Sequence, residues 1–122
     1  MTVYVDDMRA KFRRMIMCHM IADTDDELHA MAAAIGMLRS WWQDPATMRV
    51  SFSHYDIALN KRALAVRLGA IEITDRQAVS MCRRRAVTGS LGSPDDALAW
   101  RHQHSEQLRA RRAHLAQGSC AD

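Results

Sequence analysis

Residues 15–27 read MIMCHMIADTDDE, and the way this stretch runs relative to the start of the chain decides the fold. Met15 to Ala22 is nearly continuous apolar sequence interrupted by His19, as in a strand buried on both faces. Helix is the competing assignment, because Met and Ala are poor strand formers. Asp23 to Glu27 then opens a helix: Thr24 with Glu27 three residues later fits a capping box, and the extra acids suit the positive end of the helix dipole. Leu28, Met31, Ala32 and Ile35 recur at helical spacing, and Gly36 supplies a stop.

Upstream, Thr2-Val3-Tyr4-Val5 is a short β-branched and aromatic run ending at Asp6-Asp7, and it reads as a strand. Downstream, Met37 to Gln43, with Trp41-Trp42, reads as another strand, and Asp44 to Ser53, with Pro45, as a loop. A second helix is expected from Asp56 or Asn60 to Gly69, and Ile71-Glu72-Ile73-Thr74 as a short strand. Thr74 with Gln77 is a second capping-box pattern starting a third helix. Ser93-Pro94-Asp95-Asp96 is a helix start with a Ser cap and Pro at the first position. Alternation from the second strand onward predicts an α/β domain of two or three layers, with a mostly parallel sheet of about four short strands and a C-terminal helix. The expected organisation is a domain over 1–87, a linker over 88–93 and a basic helix over 94–117. The nine residues between Val5 and Met15 are short for a parallel crossover, so the first two strands can instead be antiparallel.

The chain has 122 residues, 48% of them apolar and 25% charged, which suits one domain and excludes wholesale disorder. No apolar run reaches membrane-span length, and there is no basic-then-apolar leader, so no membrane association and a cytoplasmic location are expected. Three cysteines without short spacing indicate reduced thiols rather than a disulfide frame. The formal charge is +3, and fifteen of the seventeen basic residues are Arg. Residues 1–80 are balanced; residues 81–122 hold seven Arg against four acids. A solvated helix face accounts for such a run, and so does an anionic partner.

In an open α/β sheet ligands gather beyond the carboxyl ends of the strands. The polar groups at those boundaries are Asp6-Asp7, Asp23, Gln43-Asp44 and Thr74-Asp75. If the first strand is reversed, Asp6-Asp7 falls at the edge opposite Asp23, and a site using both fails. His54-Tyr55-Asp56 is the most reactive-looking tripeptide, since a carboxylate can orient a histidine or join it on a metal. Its bland reading is a helix start. His19, within an apolar run, needs partners for its ring nitrogens, and Asp6 or Asp23 would serve. Adjacent strand side chains point to opposite faces, so Cys18 and His19 cannot share an ion. His29, after Asp25 and Asp26, fits a helix-surface pair. There is no G-x-S-x-G elbow, no P-loop and no dinucleotide-binding glycine pattern.

Two hypotheses follow. In the first, the chain binds or hydrolyses a phosphate-containing ligand, a nucleotide or nucleic acid. Mg²⁺ or Mn²⁺ sits on Asp6, Asp7, Asp23 and His19, with His54 and Asp56 catalytic and Arg62 meeting phosphate. Arg83, Arg84, Arg85, Arg109 and Arg112, with Trp100 for stacking, would bind nucleic acid or nucleoprotein. In the second, the chain is not catalytic and inhibits a host protein or nucleoprotein through its C-terminal helix and Trp41-Trp42.

Several phrases, taken in order, resemble the bacterial and phage family of unknown function numbered 4031. They are VYVDD at 3–7, CHMIADT at 18–24, DELHAMA at 26–32, Trp41-Trp42, HYDI at 54–57, KRALAV at 61–66 and GAIEIT at 69–74. The similarity covers about residues 2–85. Matching polar positions are Asp6, Asp7, His19, Asp23, His29, His54, Tyr55, Asp56 and Arg62. The resemblance implies that they belong to one site or network, and that a phage accessory role, including interference with host defence, is open. The stretch after Val87 carries none of these phrases.

Overall fold

The computed structural model describes residues 2–120. In chain order the elements are β1 (Val3–Val5), β2 (Ala10–Phe12), β3 (Met15–Ala22), α1 (Asp25–Ala34), β4 (Tyr55–Ala58), α2 (Leu59–Arg67), β5 (Ile71–Glu72), α3 (Asp75–Thr88) and α4 (Ala97–Cys120). Short 3₁₀ turns cover Arg39–Trp41 and Pro94–Asp96. The α/β class holds, but the sheet is mostly antiparallel rather than mostly parallel. β3 pairs antiparallel with β1, β2 and β4, and only β1 and β5 run parallel.

The reason lies in the connection from Val5 to Met15. It is too short for a helical crossover, and the chain uses it to build β2 and a two-residue turn, with Phe12 paired to Met15. Arg13 takes the left-handed conformation that such a turn requires, at φ 57°. Met20 pairs with Val5 on one side and Tyr55 on the other, and Met17 likewise with Ala10 and Ala58. β1 and β2 therefore share one edge of β3 and act as a single strand broken by Asp6-Asp7-Met8-Arg9.

The alternation of side chains along β3 sorts the core into two layers. Cys18, Met20 and Ala22 face one way, packing with Val3, Val5, Tyr55 and Ile57 beneath Leu28, Ala32 and Ile35 of α1 and Ala65 of α2. Ile21 and Tyr4 face the other way, beneath Ala78, Met81 and Cys82 of α3 and Ala97 of α4. The result is three layers: helices on both faces of the sheet.

Two sequence expectations change for local reasons. Tyr55 to Ala58 is a strand rather than a helix start, because Tyr55 and Ile57 alternate into the core while Asp56 and Ala58 do not. Met37 to Gln43 is not a strand: a 3₁₀ turn carries Trp41, and only Gln43 bridges to His54. The Trp42 indole there donates to Ser53 Oγ. Of the two capping boxes, Thr74 and Gln77 form both reciprocal bonds. At Thr24 only the half from Glu27 N forms, and the buried Glu27 carboxylate oxygens have no hydrogen-bond partner.

α3 closes on Gly89, whose φ of 88° a side chain would resist. α4 packs on α3 through Ala97 and Trp100, and from Arg109 to Gly118 it is exposed. No helix among the described residues is long and apolar enough to cross a membrane.

Candidate metal centre

The antiparallel register brings the polar groups together. Asp56 of β4 sits directly across from His19 of β3. Asp6, just past β1, continues the β1–β3 ladder on the other side, its N–H donating to His19 O at 3.1 Å. His54 enters the same face two residues before Asp56, held by the bridge between its backbone and Gln43. Asp6, His19, His54 and Asp56 thus lie on the face that α3 covers only further along, over Ile21 and Tyr4.

Each imidazole is fixed through Nδ1. His19 Nδ1 lies 2.7 Å from Asp6 Oδ2, while Asp6 Oδ1 accepts from His19 N at 2.8 Å. His54 Nδ1 lies 2.8 Å from the Phe52 carbonyl. A carbonyl or an ionised carboxylate can only accept, so both Nδ1 atoms carry their protons. In the neutral ring this leaves each Nε2 with a bare lone pair. Asp56 Oδ1 lies 3.3 Å from His54 Nε2 and 4.0 Å from His19 Nε2. Asp56 Oδ2 is held by the side chain of Gln43. Three acceptor atoms, from His19, His54 and Asp56, therefore lie within 4.8 Å of one another. Ligands about 2.0–2.1 Å from a tetrahedral ion stand roughly 3.3 Å apart, so the set is close to the spacing a small cation requires.

With protons alone to balance the site, burial works to lower the His19 pKa, but the Asp6 hydrogen bond and the charges of Asp6, Asp56 and Asp75 raise it. Burial works to raise the Asp56 pKa, and it is outweighed by hydrogen bonds from His54 and Gln43 and by the charges of His54 and His19. Both shifts favour the charged forms, His19 protonated and Asp56 ionised. Phe52 closes one side, its ring 4.5 Å from that of His54 and 5.6 Å from that of His19. Asp75, at the start of α3, forms a second close group with Asp6 and His19. Burial, with the charges of Asp6 and Asp7, pushes its carboxyl above the ordinary range.

The site residues expected from sequence separate into those that meet and those that do not. His19, His54 and Asp56 converge, and Asp6 stands behind His19 as its orienting partner. Asp7 accepts from Asp75 N at 2.6 Å and so caps α3. Asp23 adjoins Thr2, at the opposite end of β1 from Asp6, because β1 is reversed. Asp23 instead lines a separate cleft with Asp25, Asp44, Ser53 and Arg85. Arg62 donates through Nε to Asp6 O at 2.9 Å and through Nη1 to Glu72 at 2.7 Å, so its guanidinium buttresses the site from behind. Arg84 bonds Asp96 and lies over Trp100, which also stacks on His104, and Arg85 donates to Ala22 O. Arg83, Arg109 and Arg112 are exposed. His29 does not pair with Asp25 or Asp26: its Nδ1 lies 2.8 Å from the buried Tyr55 hydroxyl.

Sequence reasoning missed Phe52 and the support that Gln43 gives Asp56. The β4 alternation was the signal available for the His19–Asp56 pairing. Cys18 is buried in the opposite layer, as the strand alternation requires.

A family model described as "Protein of unknown function (DUF4031)" matches residues 3–85. No curated protein and no solved structure matches the chain at a significant level.

Proposed function

The chain belongs to the DUF4031 family, and since the matched span holds His19, His54 and Asp56, we propose that this segment is a divalent-metal site for hydrolytic chemistry on a phosphate-containing ligand. The convergence of His19 Nε2, His54 Nε2 and Asp56 Oδ1, with each Nδ1 proton already committed, carries the reading. Histidines that ligate metals characteristically donate their other N–H to a carboxylate or a backbone carbonyl, as Asp6 and Phe52 O permit here. Two imidazoles and one carboxylate suit Zn²⁺ or Fe²⁺ better than Mg²⁺, which prefers an all-oxygen shell.

Three protein ligands leave coordination positions for water and for a substrate oxygen. A bound ion would there lower the pKa of water and polarise a phosphoryl group. Asp6 holds the His19 ring in its ligating tautomer, Gln43 fixes the Asp56 carboxylate, and Phe52 excludes water from the flank of both rings. Arg62 holds the loop carrying Asp6 through its Nε.

The test is hydrolysis of bis(p-nitrophenyl) phosphate by the full chain after addition of Zn²⁺ or Mn²⁺. The reading expects turnover that depends on the metal and disappears in His54→Ala and Asp56→Asn. Metal binding without hydrolysis, or hydrolysis that survives both substitutions, would overturn it. The non-catalytic alternative keeps one observation in its favour: Trp41 is 52% exposed on the surface.

A further inference from the structure

The tip of the β2–β3 hairpin is exposed. All of β2 is exposed, as are Met15 and Ile16, and Phe12 reaches 54% exposure. Residues 8–17, MRAKFRRMIM, hold Arg9, Lys11, Arg13 and Arg14 and no acidic residue. The register gives this arm two distinct sides. Ala10 pairs with Met17 and Phe12 with Met15, so these four side chains share the face that carries His19. Lys11 and Ile16 point the other way, and Arg13-Arg14 form the tip. An apolar strip with one aromatic ring therefore leads along β3 to the metal ligands, edged and tipped by cations.

An exposed apolar hairpin of this kind calls for an occupant. A second copy would set four cations against four more. A single-stranded nucleic acid fits the chemistry: its bases offer flat rings to Phe12 and Met15, and its phosphates meet Arg13 and Arg14 at the tip. From Met15 to His19 is four residues, roughly 13 Å of strand, or the length of about four stacked nucleotides. We propose that the β2–β3 hairpin is a docking platform for single-stranded nucleic acid and delivers a phosphodiester to the His19, His54 and Asp56 site. This deepens the phosphate-ligand reading by naming its substrate class, and rests on that reading for the strand's destination; docking itself needs no metal.

The test uses the full chain in excess chelator and a fluorescein-labelled single-stranded oligothymidylate, read by fluorescence anisotropy across a salt series. Binding is expected, weakened about tenfold by Phe12→Ala and recovered by Phe12→Trp. Replacing Arg13 and Arg14 by Ala flattens the slope of log affinity against log salt by about 1.4. Arg109→Ala with Arg112→Ala leaves both effects in place. These side chains are exposed, and unchanged circular dichroism melting of each variant confirms that it is folded. The proposal is overturned if the oligonucleotide does not bind, or if binding ignores the hairpin variants and follows Arg109 and Arg112. It is equally overturned if the hairpin variants abolish self-association or binding to phosphatidylserine vesicles instead. Because chelator is present throughout, failure of Zn²⁺ to bind in a separate titration would remove the metal reading and leave this result standing.

Discussion

Asp6→Asn separates the role of a charge from the role of a shape. Asp6 is fully buried, and its carboxylate accepts from His19 N at 2.8 Å and Met8 N at 3.3 Å through one oxygen, and contacts His19 Nδ1 at 2.7 Å through the other. Asparagine is nearly isosteric, and its amide oxygen can keep both backbone bonds. Its NH₂ group then faces His19 Nδ1, and two donors cannot share that contact. Relief comes when the ring moves its proton to Nε2, leaving Nδ1 to accept. The proton now occupies the atom that has to ligate the ion. Loss of such orienting partners costs about 10–100-fold in metal affinity, or roughly 1.4–2.7 kcal/mol. Folding should suffer little, since the substitution keeps the hydrogen bonds and removes a buried charge. Isothermal titration with Zn²⁺, beside urea unfolding without metal, measures both quantities. Zn²⁺ affinity equal to wild type in a folded Asp6→Asn would refute the tautomer argument.

Other perturbations test the frame that positions the site. Gly89→Ala should destabilise by about 1–2 kcal/mol, because a side chain is forced to the φ of 88° that ends α3, in a place with no steric contact to confuse the result; thermal unfolding reads it. Tyr55→Phe removes the buried hydroxyl beside His29 and should cost about 1 kcal/mol in urea unfolding. His29 adds a pH dependence: burial, then the Arg39 charge, lower its pKa below the ordinary value near 6.5, against Asp25, Asp26 and Asp44. The unfolded chain therefore takes up the proton first as pH falls. The His29 contribution is present above about pH 6.5 and is lost as pH drops from there through the lower folded value. The stability advantage of wild type over His29→Gln should accordingly shrink in that window, and an advantage that grows on acidification would reverse the assignment.

The helices were legible because their signals are local. Thr74 with Gln77, Thr24 with the acids after it, and Gly36 and Gly69 mark ends whatever the rest of the chain does. The sheet was less legible, because direction and register are set between distant residues. The Arg13-Arg14 turn is written in two cationic residues rather than the usual Asn or Gly, so the hairpin went unannounced, although the short connection from Val5 to Met15 left the reversal open. The reversal is also what divided the expected carboxylates, placing Asp6 beside His19 and Asp23 at the far end of β1. His54-Tyr55-Asp56 stood out by chemistry, but read as a helix start its two polar residues would not share a face. As a strand, period-two alternation puts His54 and Asp56 together and sends Tyr55 into the core.

X-ray absorption at the zinc edge of the Zn²⁺-loaded chain tests the central claim most directly. The account predicts two imidazole nitrogens and one carboxylate oxygen at about 2.0–2.2 Å, with one imidazole lost in His54→Ala. A zinc shell without histidine, or one unchanged by His54→Ala, would contradict it.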